Sequence, residues 1–377
     1  MKFLLWLFLL GFTQPILASG EHDAWAGAKS AYARQDSVLL TRYASALRNY
    51  PLYPYIQYWQ LRLDWDSLTN AQVMNYVDSN QISVLSQKLL GDWLKKLGHD
   101  QDYKTFRRDY VQLLNPDTEI VCDDLDAHLT ESKDDVLEHG VRLWLSPYSR
   151  PSSCLPVFNA LFSEKGNYPL VWERLRLALD NGQVALAQFI IDHFLNNADK
   201  RRMAGLRSVL RDPIAFLENR RVKVGAKPDR ILLRFALFQA YDKHPKRTLK
   251  VWKKLQYRLN RADRQGIWAG IALRAARNHD KTAVRYFDQA GRHLTQEELA
   301  WQARSALLEG DWQLVRYSIH EMPPGMEAHS EWRYWLARSD LKLGETVKAR
   351  EKLVGIAHGL GYFSLLARED LGKKLSW

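Results

Sequence analysis

Five cationic side chains, Arg247, Lys250, Lys254, Arg258 and Arg261, follow one another at intervals of three or four residues. Written as one helix over 246–265, they fall within an arc of roughly 90° at 100° per residue. Leu249, Trp252, Leu255 and Leu259 occupy another face. Such a row could hold a carboxylate or phosphate polymer, or simply be a solvated helix face. The surrounding segment weighs toward an anionic ligand. From Lys200 to Arg277 there are 22 basic and 5 acidic residues, net +17, whereas His99 to Glu138 carries 12 acidic and 4 basic, net −8.

Signals for bond-making chemistry are missing. The sequence contains no G-x-S-x-G elbow, P-loop, G-x-G-x-x-G or H-E-x-x-H. Eleven His are scattered without a helical H-x3-H pair, so no metal site is expected. Glu297-Glu298 and Asp134-Asp135 are adjacent pairs that point to different helix faces and read as caps or surface charges. A glycosidase needs a carboxylate raised in pKa inside a groove, and nothing identifies one. The reading is therefore no catalytic residue, no metal and no cofactor.

The elements behind these residues read as helix after helix. Val, Ile and Thr are sparse, while Leu, Ala, Arg and Lys dominate. Thr295 with Glu298 makes a capping box, and Asp212 before Pro213 makes an N-cap with proline at the first helical position. Gly182, Gly310 and Gly344 sit where helices should stop. There is also an internal repeat. WQARSALLEG at 301–310 aligns with WLARSDLKLG at 335–344, and ALRAARNHD at 272–280 aligns with ARSALLEGD at 303–311, giving offsets of 34 and 31 residues. Periods of this size with small Ala positions and a turn mean stacked, tetratricopeptide-like helix pairs. The plainer alternative is an irregular helical bundle. Trp252, Trp301 and Trp335 share positions with core aliphatics and are expected to pack between helices, which accounts for much of the 14-Trp excess.

The first 20 residues have export architecture: Lys2, an apolar run from Phe3 to Phe12, a break at Pro15, then Ala18, Ser19 and Gly20. No later stretch reaches about 18 uninterrupted apolar residues, so no transmembrane segment is expected. Export places Cys122 and Cys154, the only cysteines, where they can form a disulfide. Closing that loop would add about 3–4 kcal/mol on the chain-entropy model. Export also turns the overall +11 away from nucleic acid and toward peptidoglycan or another anionic envelope polymer.

YPLYPYIQYWQL at 50–61, EWRYW at 331–335 and GYFSLLARE at 361–369 resemble the soluble lytic murein transglycosylases of the Gram-negative periplasm, as does the placing of Cys122 and Cys154. The resemblance extends from about Ala24 to the C-terminus. It implies an all-α, helical-hairpin superhelix, an open U-shaped solenoid over 21–377 following a 1–20 signal peptide. It also implies a periplasmic location, with peptidoglycan or cell-wall enzymes as partners. Family members cleave the MurNAc–GlcNAc linkage to a 1,6-anhydro product, using a Glu in an E-S dipeptide followed by G-L-M-Q. Glu131-Ser132 alone has that order here, Glu164 following its Ser163 instead, and no G-L-M-Q occurs. The linker and lysozyme-like catalytic domains are thus expected to be absent from these residues. Three functions follow as alternatives: a non-catalytic wall-binding module, a transglycosylase of which this is a shortened form, and a protein-binding scaffold.

Overall fold

The computed structural model describes residues 17–81, 83–163, 166–219 and 222–373. The export signal expected over 1–20 lies outside the described residues as far as position 16, and Glu164 lies outside them too. The chain divides into two compact units, Met1–Leu170 and Val171–Trp377. Among the described residues both consist of helices and turns without a strand, so the all-α expectation is met.

The first unit contains α1 (Leu17–Ala33), α2 (Ser37–Ala46), α3 (Tyr53–Leu63), α4 (Asn70–Ser79) and α5 (Val84–His99). It continues through α6 (Tyr103–Tyr110), α7 (Thr118–His128), α8 (Lys133–Trp144) and α9 (Leu155–Ser163), and the division falls inside α10 (Tyr168–Asp180). The second unit continues with α11 (Val184–Phe194), α12 (Asn197–Met203), α13 (Leu206–Arg211), α14 (Pro213–Glu218), α15 (Lys227–Lys243) and α16 (Pro245–Leu255). Next come α17 (Arg261–Arg277), α18 (Ala283–Ala290), α19 (Gln296–Glu309) and α20 (Trp312–His320). The last are α21 (Pro324–Glu327), α22 (Ser330–Lys342), α23 (Thr346–Ile356) and α24 (Tyr362–Asp370). Within each unit helices pack on those one and two places along the chain, as α1 does on α2 and α3, and α17 on α18 and α19. That is the contact pattern of stacked helical hairpins.

One turn recurs and sets the repeat. At each site the residue closing the helix has positive φ: Gln35, Gln101, Gly182, His279, Gly310 and Gly344. The next residue returns its N–H to the carbonyl five positions back, as Asp36 does to Ala31, Asp280 to Ala275, Asp311 to Ala306 and Glu345 to Asp340, at 2.8–2.9 Å. This is a Schellman closure, which satisfies a helix-end carbonyl within the turn. Asp36, Asp102 and Asp311 then cap the following helix by accepting from the N–H of Leu39, Thr105 and Leu314. One residue thus ends one helix and starts the next. The glycines at 182, 310 and 344 were expected to end helices and do so. The matching position after α17 holds His279, with φ 54°.

Apolar stripes fill each unit. Val73, Leu89, Leu90, Leu94 and Phe106 are sealed inside the first. Cys122 and Cys154, both fully buried, join α7 to the 3-10 turn Ser152–Cys154 through a disulfide with a Cα–Cα distance of 4.8 Å. In the second unit Phe235, Phe238, Trp252 and Phe287 are fully buried. Trp252 meets Trp268 edge-on, and Trp268 stacks on Tyr286. Trp301 and Trp335 are half-buried against the α19–α22 core. Small residues permit the close approach of α15 and α17, where a Cβ on Gly270 would stand 2.1 Å from the Phe238 ring.

Candidate anionic-ligand surface

α16 starts with Pro245 in its first turn and buries Thr248 and Trp252 completely. Its other face carries Lys250, Lys253 and Lys254, all exposed. The continuous helix expected over 246–265 is not formed. α16 stops at Leu255, a 3-10 turn spans Gln256–Arg258, and Leu259 is extended. Asn260 then caps α17 by accepting from the Asp263 N–H at 2.8 Å. Two side chains favour the break. Leu259 buries itself, and Gln256 accepts a 3.1 Å hydrogen bond from the Trp268 indole. The five cations therefore do not share one arc.

Their surroundings differ accordingly. Arg247 grips both oxygens of Glu218, at 2.8 and 2.5 Å. That contact holds the Glu218 carboxyl below its ordinary range. Arg258 donates to the Val222 carbonyl at 2.9 Å and is occupied by the loop it ties down. Lys250 and Lys254 have no ion-pair partner among the described residues, and neither do Arg201, Arg202, Arg207 and Arg211 on α12 and α13. Arg261, at the start of α17, belongs to a separate groove.

Part of the basic excess is internal. Arg234 binds both oxygens of Asp180, at 2.8 and 3.0 Å, and Arg176 binds the same carboxylate at 2.7 Å. Arg274 donates to the Asp180 carbonyl at 2.9 Å. The Arg274 and Arg234 guanidiniums lie 3.9 and 4.7 Å from the Phe238 ring centre. Burial pushes the Arg274 pKa down. The +17 count over Lys200–Arg277 includes Arg234 and Arg274, yet these two, with Arg176, clamp α10, α15 and α17 together.

A groove of about 1240 Å³ lies among α17, α18, α19 and α20. Arg261, Arg285, Arg292 and His293 reach it, with Phe287 and Leu314 among its apolar residues. Gly291 shapes the wall: at φ 77° and ψ −152° it occupies a region open essentially only to glycine. A Cβ there would also sit 2.6 Å from the Gln265 amide nitrogen.

Carboxylates that could serve acid chemistry have structural partners or surroundings. Glu131 is exposed, and both its oxygens lie 2.7 Å from Arg107, which holds its pKa below the ordinary value. Buried Glu298 completes the capping box by accepting from the Thr295 N–H at 2.7 Å. Asp123 is pushed up to about 6, mainly by burial and further by Glu119, Asp126 and Asp117. It lies against bare helix backbone, where a Cβ on Gly98 would approach its carboxyl carbon to 2.6 Å. Among the described residues no group of three or more His, Cys, Asp or Glu could hold a metal ion, and no helix is long and apolar enough to cross a membrane.

No family model matches the sequence. The soluble lytic murein transglycosylase of Escherichia coli is 23% identical over 365 residues, covering 94% of this chain and 56% of its own length. That of Salmonella typhimurium is 22% identical over the same coverage. Among solved structures, an inactive mutant of lytic transglycosylase Slt from Pseudomonas aeruginosa has a TM-score of 0.62 and 24% identity, covering 93% of this chain and 58% of that one. The 70 kDa soluble lytic transglycosylase of Escherichia coli has a TM-score of 0.57 and 22% identity, covering 95% and 59%. The chain thus spans somewhat more than half the length of the relatives it matches and shares their helical fold over that span.

Proposed function

From its relation to the soluble lytic murein transglycosylases, we propose that this chain is a periplasmic, peptidoglycan-associated module that works by binding and not by bond cleavage. The observation that carries the reading is the set of cations left without ion-pair partners among the described residues of the second unit, Lys250, Lys254 and Arg261 among them. Other cations of this unit are engaged in ion pairs, as Arg234 and Lys352 are. Cations kept free on one unit of an exported chain suit an anionic polymer, and murein supplies carboxylates at each peptide stem. The binding reading is supported by the partners of Glu131 and Glu298, which engage both carboxylates in the fold.

The test is retention on purified murein sacculi across a salt series. Retention should fall as ionic strength rises from about 0.05 to about 0.5 M, because the screening length contracts through that range. A variant with Lys250→Glu and Lys254→Glu should be held less at low salt. Salt-independent retention, or unchanged retention of the variant, would refute the electrostatic reading. Clearing of murein in a zymogram by homogeneous protein would refute the non-catalytic one.

A further inference from the structure

The groove among α17–α20 has features that a solvated charged face does not need. Arg261, Arg285, Arg292 and His293 approach it from α17, α18 and the loop after Gly291, and none has an ion-pair partner among the described residues. Several other arginines of this unit are paired, as Arg277, Arg304 and Arg316 are. The lining also holds polar groups placed with care. Gln302 is 4% exposed, and its side chain meets the Ser318 hydroxyl at 2.9 Å, a hydroxyl that also lies 2.7 Å from the Leu314 carbonyl. Tyr317 lines the same groove with a hydroxyl that is shielded from solvent and has no hydrogen-bond partner.

The chemistry narrows the ligand. Guanidinium forks match carboxylates and phosphates in two-point contacts, and three forks around one groove suit a ligand with more than one acid group. Carboxamides such as Gln302 match peptide amides. Asp288 and Asp311 also line the groove, so its three guanidiniums exceed its carboxylates by one, and an acidic ligand would supply the remaining counter-charge. The volume, about 1240 Å³, accommodates a polymer segment of a few units better than a single small anion. We propose that this groove binds the carboxylate-bearing peptide stems of murein and not its neutral glycan backbone. The inference rests on the peptidoglycan reading above and specifies which part of the polymer is held.

Calorimetric titration of the whole protein tests it with three probes. These are the murein tripeptide L-Ala-γ-D-Glu-meso-diaminopimelate, chitotetraose and inorganic phosphate. The tripeptide should bind saturably and at least about tenfold more tightly than phosphate, while chitotetraose gives no saturable signal. Arg285→Gln with Arg292→Gln should weaken tripeptide binding about tenfold or more, each fork contributing a charge-assisted contact. Both side chains are exposed and unpaired, so the variant should keep the wild-type circular dichroism spectrum and melting temperature. Equal affinity in the variant, equal binding of phosphate, or saturable binding of chitotetraose would overturn the proposal. Should the tripeptide fail while sacculus retention remains salt-sensitive, the groove assignment falls and the module reading stands. Should the wild-type protein not be retained on sacculi at all, both fall.

Discussion

Replacing Asp123 by Asn should stabilise the first unit at neutral pH and leave it unchanged near pH 4. Asp123 is 8% exposed on α7, pressed against Gly98 of α5. Its pKa rises from 3.8 to about 6. Burial is the largest cause, followed by Glu119, Asp126 and Asp117, while Lys95 opposes them. Lys95 is itself engaged, at 2.6 Å from Asp117 and 3.0 Å from Glu119. The folded pKa lies above the unfolded one, so the folded state holds the proton more strongly. The associated stability is complete below about pH 3.8, falls as pH rises toward about 6, and is gone above it. A shift of about 2.2 units at 1.36 kcal/mol each sets a ceiling of about 3 kcal/mol, and residual solvent access makes about 1–3 kcal/mol the expected range.

The assay is urea unfolding of wild type and Asp123→Asn at pH values from 4 to 8, with the disulfide intact. The two units require separate fitting, because a multi-unit chain need not unfold in one step. The tryptophans Trp65 and Trp93, in edge contact within the first unit, report on the relevant transition. Asp124, also raised by burial, titrates in both proteins and cancels from the difference. The variant's advantage should open between pH 4 and 6 and then stay level. An advantage independent of pH, or destabilisation at pH 7.5, would refute the reasoning. It would mean that Lys95 or another group already neutralises the buried carboxylate.

Three further outcomes follow from the same packing arguments. His279→Gly should raise stability by about 0.5–1 kcal/mol, measured as an increased urea midpoint of the second unit, since left-handed geometry penalises a side chain more than glycine's added chain entropy offsets; a lowered midpoint would count against this. Gly270→Ala should destabilise that unit by about 1–3 kcal/mol despite the better helix propensity of alanine, because the new methyl meets the Phe238 ring; thermal unfolding that shows a gain would show that the ring can move aside. Reducing Cys122–Cys154, 32 positions apart, should weaken the first unit by about 3–4 kcal/mol and leave the second unchanged; coincident unfolding curves with and without reductant would contradict it.

The sequence disclosed the helices and their stacking because both depend on local rules. Ala-rich segments of period 31–34 and stop signals at Gly182, Gly310 and Gly344 suffice to infer hairpins, as does the box formed by Thr295 and Glu298. The same turn at Gln35, Gln101 and His279 escaped notice, since a residue with a Cβ carries no mark of left-handed geometry. Only the repeat register exposes His279: it aligns with Gly310 and, through it, with Gly344. The pairing of Cys122 with Cys154 was open to inference because no other cysteine competes.

The candidate site was harder to read, for a reason that lies in what helical periodicity can express. An arc of cations presumes that the helix continues, but α16 stops at Leu255 and Asn260 caps a new helix just before Arg261, the last of the row. Net charge presumes solvent exposure, yet Arg234 and Arg274 contribute to the +17 while lying over Phe238 inside the unit. Subtracting such internal cations shifts attention from α16 alone to Arg261, whose neighbours in the groove, Arg285 and Arg292, lie beyond the basic segment altogether. They are 24 and 31 residues further along the chain. The second spacing matches the repeat offset that relates α17 to α19, so the site collects its cations by stacking and not along one helix face.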